Sequence, residues 1–270
     1  MNPQNPIPKL VTFDGEARSG KGTVVGATKD YLRDECGYKV MLIDRGQTFR
    51  VLVVAAARAG VDLDNPAAID AFLSDEATIA ACVQFVKDVY HMGKVERDEL
   101  LYTNEVGENS AKVGARPASQ AFVADLTKKW LHDAGNEGYE VVLIDGRALE
   151  NIAREMDTEG LCDYRLGLYF VCDAIIGARR TLGYADIPYA ELDAAARMSV
   201  DELVIQIHAR NQRDHDRDVE RLVPPANAPV YTVPDVPDKT ANDMIIIDTS
   251  AEVTKEEMSL PVAKLVAKHL

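Results

Sequence analysis

Five short runs rich in Val, Ile, Leu and Phe, each bounded by turn or charged residues, recur along the chain at residues 10–13, 40–43, 141–144, 166–171 and 244–247. Short apolar runs without polar alternation read as strands covered on both faces. Helical patterns lie between them, and parallel neighbours need a crossover of a dozen or more residues. The alternation therefore predicts an α/β fold, a five-stranded and mostly parallel sheet in a three-layer α/β/α arrangement. Ligands of such sheets bind beyond the carboxyl ends of the strands.

Each of the first three strands ends in an acid and a glycine: Asp14-Gly15, Asp44-Arg45-Gly46 and Asp145-Gly146-Arg147. Each pair could be an ordinary turn, since Asp and Gly both favour turns. Three at one edge point to function. The stretches between strands two and three, about 97 residues, and between four and five, about 72, exceed what a crossover needs and predict inserted helical subdomains. In the first, Ile79, Val83, Val86 and Tyr90 make one helical stripe, with residues 74–92 reading as helix, and Phe122, Leu126, Trp130 and Leu131 make another; both are packing faces. Residues 223–243 carry five prolines and no periodicity, and read as a surface loop.

Gly15 to Thr23, GEARSGKGT, joins the first strand to a helix starting near Lys21 and fits the phosphate-binding pattern G-x-x-x-x-G-K followed by Gly-Thr. Gly15, Arg18, Ser19, Gly20, Lys21, Gly22 and Thr23 form the candidate nucleotide cradle. Backbone N–H groups would face the β-phosphate, Lys21 would reach the β and γ oxygens, and Thr23 would meet Mg²⁺. A second cluster, RNQRDHDRD at 210–218, comes after a stripe of Val200, Leu203, Val204 and Ile207. If that helix continues, Arg210, Arg213 and Arg217 fall within about 60° of one another and form a comb of guanidinium groups suited to phosphoryl oxygens. The plainer reading is a solvated helix whose arginines pair with Asp214, Asp216 and Asp218.

Composition limits the partners. Asp plus Glu number 44 against 30 Lys plus Arg, and a net charge of −14 argues against nonspecific hold on nucleic acid polymers or anionic membranes. The segment 176–221 is itself acidic, so its cations must be sorted by helix face. Four scattered cysteines without metal-type spacing give no disulfide framework and no zinc site. No secretion signal or membrane-length apolar run is present, and a cytoplasmic, monomeric protein acting on small molecules is the expectation.

Together, VTFDGEARSGKGT at 11–23, IDRGQTFRVL at 43–52, TNEVGENSAKVGARP at 103–117, LIDGR at 143–147, RNQRDHDRD at 210–218 and IIIDTS at 245–250 resemble the cytidylate kinases, nucleoside monophosphate kinases of the phosphate-loop class. The resemblance implies one domain with a core at about 9–50, 138–175 and 244–270, an acceptor-binding insert at about 51–137, a lid at about 176–222 and the Pro-rich loop at 223–243. It implies transfer of the γ-phosphoryl group of ATP to CMP or dCMP with Mg²⁺. Lys21, Arg147, Arg213 and Arg217 would be the catalytic cations, and Asp145 would orient the metal's water shell or the acceptor, Thr23 and Asp145 being the metal-side residues. Asp44, Gly46, Arg50, Arg147 and Arg210 would contact the acceptor. The chain departs from the family pattern at Arg18, where the family has glycine, and at Arg45, Ala111, Gln120 and Ala148, positions that in the family help to read the base and hold the acceptor phosphate. Two other readings are a phosphate-loop kinase for a different small acceptor and a nucleotide-binding regulatory protein without turnover.

Overall fold

The computed structural model describes residues 7–217 and 220–270. Asp218, which closes the arginine-rich stretch, lies outside the described residues. All five apolar runs are strands: β1 (Lys9–Gly15), β2 (Val40–Asp44), β3 (Val141–Asp145), β4 (Asp163–Val171) and, because the sheet holds one strand more than expected, β6 (Met244–Asp248). The sixth is β5 (Val230–Thr232), and the sheet order is β2-β3-β1-β4-β6-β5. β1 pairs in parallel with both β3 and β4, β4 with β6, and β6 with β5. The chain leaves β1 for the β2–β3 side of the sheet and later crosses to β4, so the crevice beyond the end of β1 is the topological switch point where ligands collect.

The chain divides into two compact units, residues 1–43 with 133–270, and residues 44–132. In the first, Val11, Phe13, Leu143, Leu168, Phe170, Ile245 and Ile247 of the sheet are buried against Val24, Val25 and Leu32 of α1 (Lys21–Asp34) and Met258, Val262, Leu265 and Val266 of α11 (Lys255–His269). The rings of Phe13 and Phe170 stack at 6.1 Å across neighbouring strands. Leu10, equally buried, alternates with Val11 and so faces the other side of the sheet. α8 (Glu150–Thr158) packs on β1 and β4, and α9 (Ala174–Thr181) packs with α10 (Ala194–His215) through Ala178, Ala196, Val200 and Ile207.

The second unit holds its own apolar centre. Val51, Leu52 and Val53 of α2 (Arg45–Arg58) cluster with Ile69 of α3 (Pro66–Phe72), Cys82, Val86 and Val89 of α4 (Glu76–His91), Leu101 of α5 (Lys94–Leu101), Val113 of α6 (Asn104–Gly114), and Phe122 and Leu126 of α7 (Pro117–Asn136). Its helix starts are written locally: Asn65, Asp75 and Thr103 each cap a following helix by accepting a backbone N–H. Both apolar stripes of the sequence lie on helices here, α4 carrying the first. Trp130 meets Tyr90 edge-on at 5.4 Å as a packing residue. No helix among the described residues is long and apolar enough to cross a membrane.

Two expectations need correction. The Pro-rich stretch 223–243 is not merely a surface loop: it supplies β5 and drives Val233 and Val236 into the main core. Three strand residues between prolines fall below any periodicity. The helix through the arginine cluster ends at His215, so Arg217 does not share a helix face with Arg210 and Arg213. Its last carbonyls are taken from beyond the helix, Leu222 N–H donating to Asp214 O at 3.0 Å and Arg221 Nε to His215 O at 3.0 Å.

If the Pro-rich stretch is structural, Val233→Ala should cost about 2 kcal/mol by cavity formation. Val230→Ala, at a side chain 59% exposed, should change stability by less than about 0.5 kcal/mol. Equal, small effects in urea denaturation would contradict this.

Candidate active site

The turn after β1 begins with an unusually close approach of two backbones. Gly15 pairs with Phe170 of β4 at φ 131°, and a Cβ there would lie 2.2 Å from the Phe170 carbonyl oxygen. Only glycine fits. Four of the loop's carbonyls then find donors. Gly15 O accepts from Arg147 Nη1 at 2.7 Å, Glu16 O from Ser19 Oγ at 2.9 Å, Ser19 O from Thr249 Oγ1 at 2.7 Å, and Gly20 O from Thr23 N–H at 3.0 Å. The N–H groups are treated oppositely. Ala17 N–H donates to Asn211 Oδ1 at 2.8 Å, but no acceptor among the described residues takes the N–H groups of Arg18 through Gly22. Such a row of outward donors at the start of a 14-residue helix is an anion-binding concavity. Arg18 reaches its place at φ 59° and Gly20 at φ 76°, so an arginine adopts a conformation that glycine holds more cheaply.

Lys21 lies at the base of this concavity, turned back onto the ends of β1 and β3. Its Nζ donates to Asp145 Oδ1 and, at 2.7 Å, to Gly146 O. Asp14, a residue away from Gly15, is 7% exposed and accepts from Gly15 N–H at 2.6 Å and Leu149 N–H at 2.9 Å. It thereby ties the loop after β1 to the loop after β3. Burial raises its pKa above the ordinary aspartate value of 3.8, against the lowering effect of those hydrogen bonds and of Lys21 and Arg147. Ala148 turns the second loop at φ 53°.

Arg147 reaches further, pairing through Nε with Asp214 Oδ2 at 3.2 Å, and Arg217 holds the other oxygen of the same carboxylate. Asp214 is buried, contrary to the solvated helix that its neighbours suggest. Arg210 and Arg213 are exposed on α10. One carboxylate thus joins Arg147 and Arg217 beside the loop, while Arg213 stays in solvent. In the second unit Asp44 caps α2, accepting from Gln47 N–H at 2.8 Å, and Gly46 lies in its first turn. Arg50 donates to Leu101 O at 3.0 Å with its guanidinium 4.7 Å from the Tyr102 ring centre. Ala111 lies on α6, and buried Gln120 turns its amide to Gly114 O.

The cytidylate kinase family model matches residues 11–266. The chain belongs to the cytidylate kinase family. It is a nucleoside monophosphate kinase by that membership. Proteins named cytidylate kinase from Pseudomonas putida (strain W619) and Pseudomonas entomophila (strain L48) are each 29% identical over 231 residues, covering 84% of this chain and 88% of theirs. One from Pseudomonas fluorescens (strain Pf0-1) is 29% identical over 227 residues, covering 83% and 87%. A crystal structure from Chloroflexus aurantiacus aligns over 98% of this chain and 99% of its own at 13% identity and a TM-score of 0.42, too loosely to bear on the site.

Several residues that build this candidate site have no individual role that the sequence announces. Asn211 and Asp214 sit inside the arginine-rich cluster, yet only their arginine neighbours carry a phosphate signal. Thr249 stands in the stretch IIIDTS, without any local sign that its hydroxyl reaches Ser19. Asp14 has such a sign in its acid-glycine pair. Its removal is testable: Asp14→Ala leaves two buried N–H groups without an acceptor and should cost about 2 kcal/mol. Because the folded pKa lies above 3.8, the native state keeps a proton that the unfolded chain releases, so this group's contribution falls as pH rises from that value through the raised pKa. The cost of Asp14→Ala in urea denaturation should therefore shrink from pH 4 to pH 8; a cost that grows would contradict the assignment.

Proposed function

We propose that the chain transfers the γ-phosphoryl group of ATP to CMP or dCMP, yielding ADP and CDP or dCDP. The observation that carries this reading is the row of N–H donors from Arg18 to Gly22, left open while the carbonyls of Gly15, Glu16, Ser19 and Gly20 are satisfied. In this reading the donors receive the β-phosphate, and Lys21 exchanges Asp145 and Gly146 O for β and γ oxygens. Arg147, Arg213 and Arg217 neutralise the equatorial oxygens of the transferring group, Arg217 and Arg147 arriving already paired on Asp214. Asp44, Gly46, Arg50 and Arg210 serve the acceptor. Phosphoryl transfer of this kind depends on positioning and charge stabilisation, and no covalent intermediate is needed.

Mg²⁺ fits the donor set. In this reading the ion arrives with the nucleotide and takes one or two oxygen ligands from the protein. Thr23, whose residue is exposed, and the Asp145 carboxylate would hold it, and when bound it supplies Lewis-acid neutralisation of phosphate charge. The same reading takes the protein as a cytoplasmic monomer acting on small nucleotides.

A different small acceptor is the second reading, favoured by the inward-turned amide of Gln120 and the side chains of Ala111 and Ala148, which cannot hydrogen-bond. ADP formation with ATP and Mg²⁺ across CMP, dCMP, UMP, AMP, GMP and non-nucleotide acceptors separates them. Turnover confined to CMP and dCMP is expected; turnover only with another acceptor supports the second reading, and ATP binding without turnover supports a regulatory protein. Lys21→Ala should lower kcat by about a thousandfold or more with an unchanged circular dichroism spectrum, and wild-type rates in that variant would remove the role given to the loop.

A further inference from the structure

We propose that Thr249 is a positioning residue for the phosphate loop, aiming the N–H of Gly20 at the nucleotide's phosphate. The inference rests on the reading of that loop as the ATP cradle and adds a residue to which the loop motif itself gives no role. Ser19 O and Gly20 N–H are opposite ends of one planar peptide, so fixing the first orients the second. Ser19 O is held by the Thr249 hydroxyl at 2.7 Å, across 230 residues of sequence. The carbonyls of Gly15, Glu16 and Gly20 have nearer partners, in Arg147, in Ser19 and in the first turn of α1. Thr249 is fully buried, and its hydroxyl lies 3.2 Å from Val171 O, so the shorter contact to Ser19 takes its proton.

Thr249 is itself fixed from three directions. It comes directly after β6, its N–H donates to Val171 O at the end of β4 at 3.0 Å, and its carbonyl accepts from Arg180 Nη1 of α9 at 2.7 Å. Arg180 Nη2 donates to Ala251 O, so the guanidinium spans both carbonyls of the turn after β6. α9 also presses on the loop directly: a Cβ on Gly177 would lie 2.8 Å from Arg18 O. The Arg18–Ser19 crest is thus gripped by α9 on one residue and by Thr249 on the next.

Removing the hydroxyl leaves Ser19 O buried without a donor, and the peptide can recover a hydrogen bond only by turning over, which takes the Gly20 N–H out of the row. Thr249→Val keeps the shape and removes the donor, whereas Thr249→Ser keeps the donor. ATP dissociation constants by calorimetry, which need no acceptor, are measured beside KM and kcat with CMP and beside Tm. Thr249→Val should weaken ATP about tenfold, one charge-assisted donor's worth, and leave the KM for CMP unchanged; Thr249→Ser should stay within about twofold of wild type. A merely structural role would lower Tm and the active fraction without moving the ATP constant. Unchanged ATP affinity in Thr249→Val, or equal losses in Val and Ser, overturns the proposal. Should Thr249→Val not fold, Arg180→Gln, which frees the Thr249 carbonyl, is expected to weaken ATP at least about threefold, and no change overturns it. Wild type that binds ATP but turns over no acceptor would instead sink the functional reading alone.

Discussion

A peptide group has a donor end and an acceptor end, and the loop after β1 has four of its acceptor ends, at Gly15, Glu16, Ser19 and Gly20, engaged by protein while a run of donor ends is left for something else. This asymmetry is the condition for binding an anion without bulk positive charge, which a chain of net charge −14 cannot supply. Gly15 starts it by letting β1 and β4 approach until no side chain fits between them. Arg147 and Ser19 continue it, and Thr249 completes it from the end of β6, two strands away. The parallel sheet is therefore a jig for carbonyl partners as well as a core.

Charge near the loop is arranged in compensated pairs. Lys21 lies on Asp145, and Arg147 and Arg217 share Asp214, so the cations that a triphosphate would use are already desolvated and held by carboxylates. Partly buried cations without partners would carry a large desolvation cost. A bound nucleotide would exchange one set of anionic oxygens for another, which would keep that cost small. The buried carboxylate of Asp14 joins the two loops under the same economy, at the expense of a raised pKa.

The sequence makes legible whatever is written in consecutive residues. Apolar runs mark five strands, helical stripes mark α4, α7 and α10, and GEARSGKGT announces a strand-loop-helix phosphate site. The acid-glycine pairs mark Asp14 and Asp145 without saying that one knits two loops and the other holds Lys21. Thr249, Asn211 and Asp214 act through partners roughly 70 to 230 residues away, and no periodicity encodes such a meeting. The end of α10 escapes a reading of helix faces because Arg221 and Leu222, beyond the helical pattern, cap it. Arg18 at positive φ runs against local propensity, where the surrounding contacts outweigh a backbone cost of about 1 kcal/mol.

The strand that the sequence conceals also decides what lies at one border of the sheet. β5 spans three residues, with Pro229 before it and Pro234 just after, and its bonds to β6 are continued by Pro229 O and Val233 N–H. A longer border strand would offer a row of free donors and acceptors on which another chain could build. Three residues bracketed by imino acids offer little to copy. The prolines that make this stretch look like idle connection thus serve as a selvedge, keeping a parallel sheet of apolar strands from growing beyond its own molecule.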